Sequence, residues 1–392
     1  MFKHLFKLIW NKKKQNGLLM FEIFISFMVL FAVFTLMVYY YNNYKKPMGI
    51  EYENVWSVTY NNPLQTGNSD SLTMFYETLR RTIKSMPEVK EISFSADNIP
   101  FSQSTSQNGF EYNGKRINSV NWYFSEDSYA TVLNAKLLEG RWFSKQDVAA
   151  KDHPVVINNS LKERLFGKDK AAGKLIGGPE NKWRVVGVVQ DIKFKGDYTA
   201  AGIGVFNRID TAEFRWLNKI LVKLSPDANA AVEGRLYKTI ANYMKDANIE
   251  IEHLTEKRKA VNYFALVPMI VLSIVAGFLI INVTLGLFGV LWYNINKRRG
   301  EIGLRRAVGA SGNAVSGQLV AESLILATLA LVIGAFFAIQ FPLLNVFDLP
   351  AGVYIMALLL SVVFIYMLVL ICSLYPGRQA AAVYPAVALH ED

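Results

Sequence analysis

The residues with the most pronounced chemical character are five cations packed into one short connector. Asn294–Ser311 reads NINKRRGEIGLRRAVGAS and carries Lys297, Arg298, Arg299, Arg305 and Arg306 between two long apolar stretches. Cations at that density recognise anionic or complementary surfaces, whether acidic lipid, nucleic acid or a partner protein. Arg298, Glu301 and Arg305 recur at i, i+3 and i+7, so on a helix they share one face, and Glu301 is placed to pair with Arg305. Leu304, Ala307 and Val308 offer an apolar stripe beside that face. Gly309 is expected to end the helix, and Ser311 or Asn313 to cap the next one. Such a helix either docks on a protein or lies on lipid, and periodicity alone leaves both open.

Other stretches that could do chemistry fail on spacing. Gly167–Lys174 (GKDKAAGK) resembles a phosphate-binding loop, but five residues separate its glycines where four are needed, and Leu175 stands where a Mg²⁺-binding hydroxyl belongs. His4, His153, His253 and His390 are scattered, with no i, i+4 pair and no carboxylates arranged to build a metal site. No nucleophile-elbow serine motif is present. The expectation is therefore no catalysis, no metal and no cofactor in this chain. Two carboxylates, Glu22 and Glu322, fall inside apolar stretches, where ionisable groups often mark ion paths. Both are shallow and near basic clusters, so a structural role, snorkelling or pairing with Lys14 or Arg305, is the expected one.

Four apolar stretches must position these residues: 17–41, 261–293, 316–341 and 353–375. Each is long enough for the roughly 20 residues that cross a hydrocarbon core. Hydrophobic residues make up 52% of the 392, yet mean hydropathy is only +0.20, so the spans coexist with a large polar part. The first span has too long an apolar run, and no small-residue cleavage site after it, to be a removable signal peptide. Outside 42–260 every Lys and Arg lies before the first span, in the 294–315 connector, or at Arg378, whereas the 342–352 connector has none. By the positive-inside rule this puts segment 1–16, the 294–315 loop and the 376–392 tail in the cytoplasm, and segment 42–260 outside. The net charge of +10 then serves orientation and anionic lipid, and nucleic-acid binding is not expected. The single cysteine, Cys372, lies in the last span, so the outer domain has no disulfide and depends on its own core.

The 42–260 segment reads as α+β. Val55–Tyr60 and Val89–Phe94 are strand-like and flank a helical pattern at Asp70–Ser85, with Leu72, Phe75, Tyr76, Leu79 and Ile83 on one face. The order returns in strand Lys219–Leu224, helix Asp227–Lys245 and strand Ile249–Leu254. Two such units bracketing an insertion predict a ferredoxin-like lobe interrupted by a β-rich lobe at about 107–204. The insertion holds a hairpin signal at Asn113-Gly114, a turn signal at Gly177-Gly178-Pro179 and a strong strand at Trp183–Gln190.

The run Arg299–Ser311 (RGEIGLRRAVGAS) resembles the signature that follows the second span in MacB/FtsX-type permeases of ABC transporters. Glu139–Phe143 (EGRWF), Pro154–Gly167 (PVVINNSLKERLFG), Gly173–Ile176 (GKLI) and Val185–Asp191 (VVGVVQD) look like successive landmarks of that family's periplasmic core domain. Tyr375–Leu389 resembles its C-terminal motif, and Glu322 falls where the family often has a glutamate. Lys46–Asn68 and Gln107–Val120 match nothing in it. The resemblance implies a four-span permease of the bacterial inner membrane, working as a homo- or heterodimer with a cytosolic ABC ATPase dimer. ATP and Mg²⁺ would be bound by that partner, since no nucleotide-binding motif is found here. It further implies that the 294–315 helix is the coupling helix, with Arg298, Arg299, Glu301, Leu304, Arg305, Arg306 and Val308 facing the ATPase. The spans would form no conduit, and the long second span would carry motion outward. Efflux of a drug, peptide or similar substrate, with a periplasmic adaptor and outer-membrane tunnel, is the first expectation. Lipoprotein extraction and FtsX-like regulation of a wall hydrolase are the alternatives.

Overall fold

The computed structural model describes residues 13–61, 69–96, 98–178, 182–209, 216–245, 247–297 and 299–381. Arg298, Pro179, His4, His390 and most of the C-terminal tail lie outside the described residues, as does part of Lys46–Asn68. The chain divides into two compact units, residues 43–265 and residues 1–42 with 266–392.

After helix α1 (Lys13–Tyr44), the α/β unit runs β1 (Val55–Tyr60), α2 (Ser69–Lys84), β2 (Val89–Ser95), β3 (Gln107–Tyr112), β4 (Lys115–Ser125) and a short α3 (Tyr129–Val132). It continues through β5 (Leu137–Gly140), β6 (His153–Asn158), α4 (Asn159–Phe166), β7 (Leu175–Ile176), β8 (Trp183–Val189), β9 (Gly204–Arg208), β10 (Lys219–Leu224), α5 (Ala230–Tyr243) and β11 (Ile249–His253). The strands form one hydrogen-bonded path, β11-β1-β10-β2-β4-β9-β6-β8-β5, with β3 paired to β4 and β7 to β8. Most pairs are antiparallel; β4–β9 and β6–β8 are parallel. The path is thinnest between β2 and β4, where Ser95 opposite Ser125 is the only register pair among the described residues.

The periodic residues of α2 do what their spacing predicts. Leu72, Tyr76, Leu79 and Ile83 are buried against Val58, Ile92, Phe94, Ile220 and Val222 of the sheet and against Leu236 and Ile240 of α5. Each such side chain contributes about 1.5–3 kcal/mol by leaving water. Helix α5 starts at Ala230 instead of Asp227 because the Asn229 side chain accepts from the Ala231 and Val232 N–H groups at 3.0 and 3.4 Å. The β3–β4 hairpin turns at Asn113-Gly114, both with positive φ (49° and 69°), the two-residue turn that this dipeptide favours.

The landmark motifs interlock. Asn158 at the end of β6 caps α4 by accepting from the Leu161 N–H at 3.2 Å. Asp191, just after β8, takes the Ser160 N–H at 2.8 Å and the Ser160 hydroxyl at 2.6 Å. Glu139 accepts from the Ala171 N–H at 2.8 Å and pairs with Lys162 at 3.3 Å. Arg141 forks onto Asp147 with two 2.7 Å bonds, and the Trp142 indole N–H donates to the Glu126 carbonyl at 3.0 Å.

The remaining helices are α6 (Leu254–Lys297), α7 (Arg299–Ala307), α8 (Gly312–Leu343) and α9 (Ala351–Ala381). Among the described residues four segments are long and apolar enough to cross a membrane: Gly17–Tyr44, Leu254–Lys297, Gly312–Leu343 and Ala351–Gln379. Helix α6 starts seven residues before the expected span, directly after β11, and its 44 residues give about 66 Å of helical rise. Pro268 lies within it without ending it. The helical bundle packs around Ile23, Phe27 and Phe31 of α1, Leu287 of α6, Ala327, Ala330 and Leu331 of α8, and Tyr354 and Ile365 of α9. Small residues on α8 permit this close approach, as they do between helices in lipid.

Candidate functional site

Helix α7 is amphipathic and packs on the bundle through Ile302. Ile302 is 6% exposed and clusters with Ile295 of α6 and with Val315 and Leu319 of α8. Its other face is open: Leu304 is 56% and Val308 83% exposed, and Ala307 is exposed beside them. The helix then stops in a two-bond C-cap. The Ala310 N–H donates to the Arg305 carbonyl at 2.9 Å and the Gly309 N–H to the Arg306 carbonyl at 3.2 Å. Gly309 supplies the φ of +103° that this cap needs. Ser311 caps α8 by accepting from the Ala314 N–H at 3.3 Å. The stop and restart therefore fix how α7 leaves the bundle surface.

Arg305 links the two helices. Its guanidinium meets Glu301 at 2.6 Å, one turn earlier, and donates to Gln318 Oε1 of α8 at 2.9 Å. The Gln318 amide in turn donates to Glu322 Oε1 at 3.1 Å. A continuous series of polar groups thus runs from α7 to a carboxylate inside the third apolar span. Arg305 reaches Glu322 through Gln318, a residue the spacing argument had not singled out. Arg299 and Arg306 are half-buried on α7. Glu22 stands apart, with no hydrogen bond or ion pair joining it to this series among the described residues. Its carboxylate lies in a notch on α6 that exists because Gly286 has no side chain; a Cβ there would come within 2.6 Å of Glu22 Oε2.

A second polar constellation, silent in the sequence, sits within the α/β unit where its first and last segments meet. Asp197, 5% exposed, receives a fork from Arg258 at 3.1 and 2.7 Å, the Asn262 amide at 2.6 Å, and returns its own N–H to Asn262 Oδ1 at 2.8 Å. Lys193, 3% exposed, donates to the carbonyls of Asn43 at 3.0 Å and Asp197 at 3.3 Å. Burial pushes its ammonium pKa down, with Asp197 opposing the shift. The Asn43 amide completes the ring by donating to the Tyr198 carbonyl at 3.2 Å. The end of α1, the loop after β8 and the first turns of α6 are thereby fastened by charge-assisted bonds shielded from water, where such bonds are strongest.

Of the histidines, His153 bonds Asn207 Oδ1 at 2.8 Å, and His253 stacks on Trp56 and meets Glu233 at 3.1 Å. Gly167 and Gly173, the glycines of the loop-like run, end α4 and lead into β7.

Comparison with known proteins matches residues 17–237 to the MacB-like periplasmic core domain and residues 271–385 to the FtsX-like permease C-terminal family. Among relatives, the macrolide export ATP-binding/permease protein MacB of Chlorobium phaeobacteroides is 26% identical over 67% of this chain and 42% of its own length. The uncharacterised ABC transporter permease YvrN of Bacillus subtilis is 23% identical over 80% of this chain and 78% of its own. The chain thus spans less than half the length of that MacB relative. The crystal structure of the periplasmic region of MacB from Actinobacillus actinomycetemcomitans aligns with 56% of this chain and 98% of its own, at 18% identity and a TM-score of 0.40.

Proposed function

The chain belongs to the MacB/FtsX-type permeases of ABC transporters, and on that premise we propose that it converts ATP hydrolysis by a cytosolic partner ATPase into movement of its α/β domain. The observation that carries this is α7: a short helix anchored by Ile302 and linked through Arg305 and Gln318 to α8, with Leu304 and Val308 turned outward and uncovered. An exposed apolar pair beside arginines suits burial against a protein surface, and arginine is enriched at such interfaces. Chemistry resides in the partner, which binds ATP and Mg²⁺, and this chain is not itself an enzyme. The distribution of basic residues supports an inner-membrane protein with both termini and α7 in the cytoplasm and the α/β unit outside.

Strands β11-β1-β10-β2 with α2 and α5 support reading half of that unit as a ferredoxin-like lobe, and the thin Ser95–Ser125 join supports a second, β-rich lobe. Along α6, Ile274, Phe278, Ile281, Leu285, Phe288 and Trp292 recur at spacings of four and three and are exposed in the single chain. That seam supports pairing with a second or homologous permease. Efflux of a drug-sized or peptide substrate, with a periplasmic adaptor and outer-membrane tunnel, is the favoured task, on the strength of the macrolide-export relatives.

The test uses Leu304→Asp with Val308→Asp, two exposed positions whose change leaves Ile302 and Arg305 in place. The double variant should insert normally and lose its ATPase on co-purification. An ATPase retained at wild-type stoichiometry would show that α7 is not the docking element.

A further inference from the structure

We propose that the α/β unit carries a binding site for a small aromatic anion at the mouth of its curled sheet. Strands β3, β4, β9, β6 and β8 lie in that order, yet Phe110 on β3 meets Trp183 on β8 with ring centroids 6.0 Å apart. The sheet must curl back on itself to bring them together. Beneath them Ile117, Val120, Val155, Ile157, Val185 and Val205 fill the curl as an apolar core. At its open end lies a cleft of about 1030 Å³, the size of a ligand pocket, and barrel mouths are a common place for one.

The lining has two parts. One is aromatic: Trp122 and Trp183 stand edge to face at 5.1 Å, with Phe110 and Phe124 beside them. The other is polar: Lys151, Lys182, His153, Asn207 and Glu111. Neither lysine forms an ion pair among the described residues, so the two cations outweigh the single carboxylate of Glu111. The Trp122 indole N–H is the second observation that points to a ligand. Trp122 is 9% exposed, and its Nε1 is buried with no hydrogen-bond partner. A buried N–H left without an acceptor is unfavourable, so the site favours a molecule that brings one. His153 is held by its bond to Asn207, so one wall of the cleft is fixed in advance.

These features select one chemical class. Flat apolar surface suits the edge of an aromatic ring, unpaired lysines suit a negative charge, and the Trp122 N–H suits an anionic oxygen. A carboxylate on an aromatic body supplies all three. The binding itself does not depend on the function proposed above, whereas any role for this ligand as cargo does.

The experiment is calorimetric titration of the full chain in lipid nanodiscs, with empty nanodiscs as reference and no ATPase present. The probes are 2-naphthoate, uncharged 2-naphthamide and acetate. Saturable one-to-one binding of 2-naphthoate is expected, with 2-naphthamide and acetate weaker by about tenfold or more, the loss of one charge-assisted hydrogen bond. Lys151→Glu with Lys182→Glu, both exposed positions, should weaken 2-naphthoate to the same degree. Trp122→Phe keeps an aromatic ring but removes the N–H together with the five-membered part of the indole, so it should weaken 2-naphthoate several-fold and lower the melting temperature modestly through the space it leaves. Absence of saturable 2-naphthoate binding, 2-naphthamide binding as tightly, or wild-type affinity in either variant overturns the assignment. Because no ATPase is present, none of these outcomes bears on the permease reading.

Discussion

Arg141 and Asp147 show how a family landmark can be structural to its last atom. Asp147, 7% exposed, takes both guanidinium nitrogens and the Ser144 N–H. The Arg141 bonds hold its carboxyl below the ordinary aspartate range, with burial opposing and Ser144 assisting. A carboxyl whose folded pKa is depressed stabilises fully above its unfolded pKa, near 3.9, and loses that contribution as pH falls through the folded value. Thermal unfolding of the α/β unit should therefore be insensitive to this pair from pH 8 down to about 5 and should weaken below about 4. Asp147→Asn should lower the melting temperature at pH 7 and flatten the acid limb. A variant whose melting curve parallels wild type from pH 7 to pH 3 would remove Asp147 from the account. The landmarks EGRWF and VVGVVQD thus identify a lineage through residues that hold strands and caps together.

At the scale of elements, most of the fold was legible and its joints were not. Helix α2, strands β1 and β10 and the Asn113-Gly114 turn follow from local periodicity and turn chemistry, because each is fixed by neighbours within a few residues. Gly309 and Ser311 likewise announce the end of α7 and the start of α8. The Asp197 constellation announces nothing. Asn43, Lys193, Asp197, Arg258 and Asn262 come from three segments separated by more than sixty residues, and each is an unremarkable polar residue in its own stretch. The inward role of Ile302 and the Gln318 bridge were hidden for the same reason.

That constellation bears on α6 as a lever, since Arg258 and Asn262 lie on its first turns. If force passes along α6, two different lesions should uncouple the protein without dispersing it. Leu279→Pro removes a backbone hydrogen bond in mid-helix at about 3 kcal/mol, which neighbouring helices can absorb. Asp197→Ala removes the buried carboxylate that holds a half-buried Arg258 and the Asn262 amide, a loss of about 3 kcal/mol. In a domain of this size that lowers the melting temperature by roughly 6–12 °C. Both variants should still co-purify with the ATPase and hydrolyse ATP, and both should fail in the task performed by the α/β domain. Wild-type transport by Leu279→Pro would mean that α6 is not the lever.

For the whole molecule, the decisive feature is what the single chain leaves uncovered. Side chains facing lipid need only be apolar, so exposure alone distinguishes nothing in a membrane helix. Register does. Ile274, Phe278, Ile281, Leu285, Phe288 and Trp292 follow a four-three alternation for five consecutive steps, the seam that keeps one face of a helix against another helix. Ile281 lies near the middle of that seam and is 59% exposed. In a Cys372→Ser background, Ile281→Cys should form an intermolecular disulfide on mild oxidation, and Phe278→Cys or Leu285→Cys should do so as well. Ile280→Cys, one residue off the seam and turned toward the bundle core, should not. Equal cross-linking at 280 and 281 would indicate random collision in the bilayer and would dissolve the case for a paired α6. Selective cross-linking along the seam would place the two levers side by side, so that ATP-driven closure of two cytoplasmic partners has a single axis on which to act.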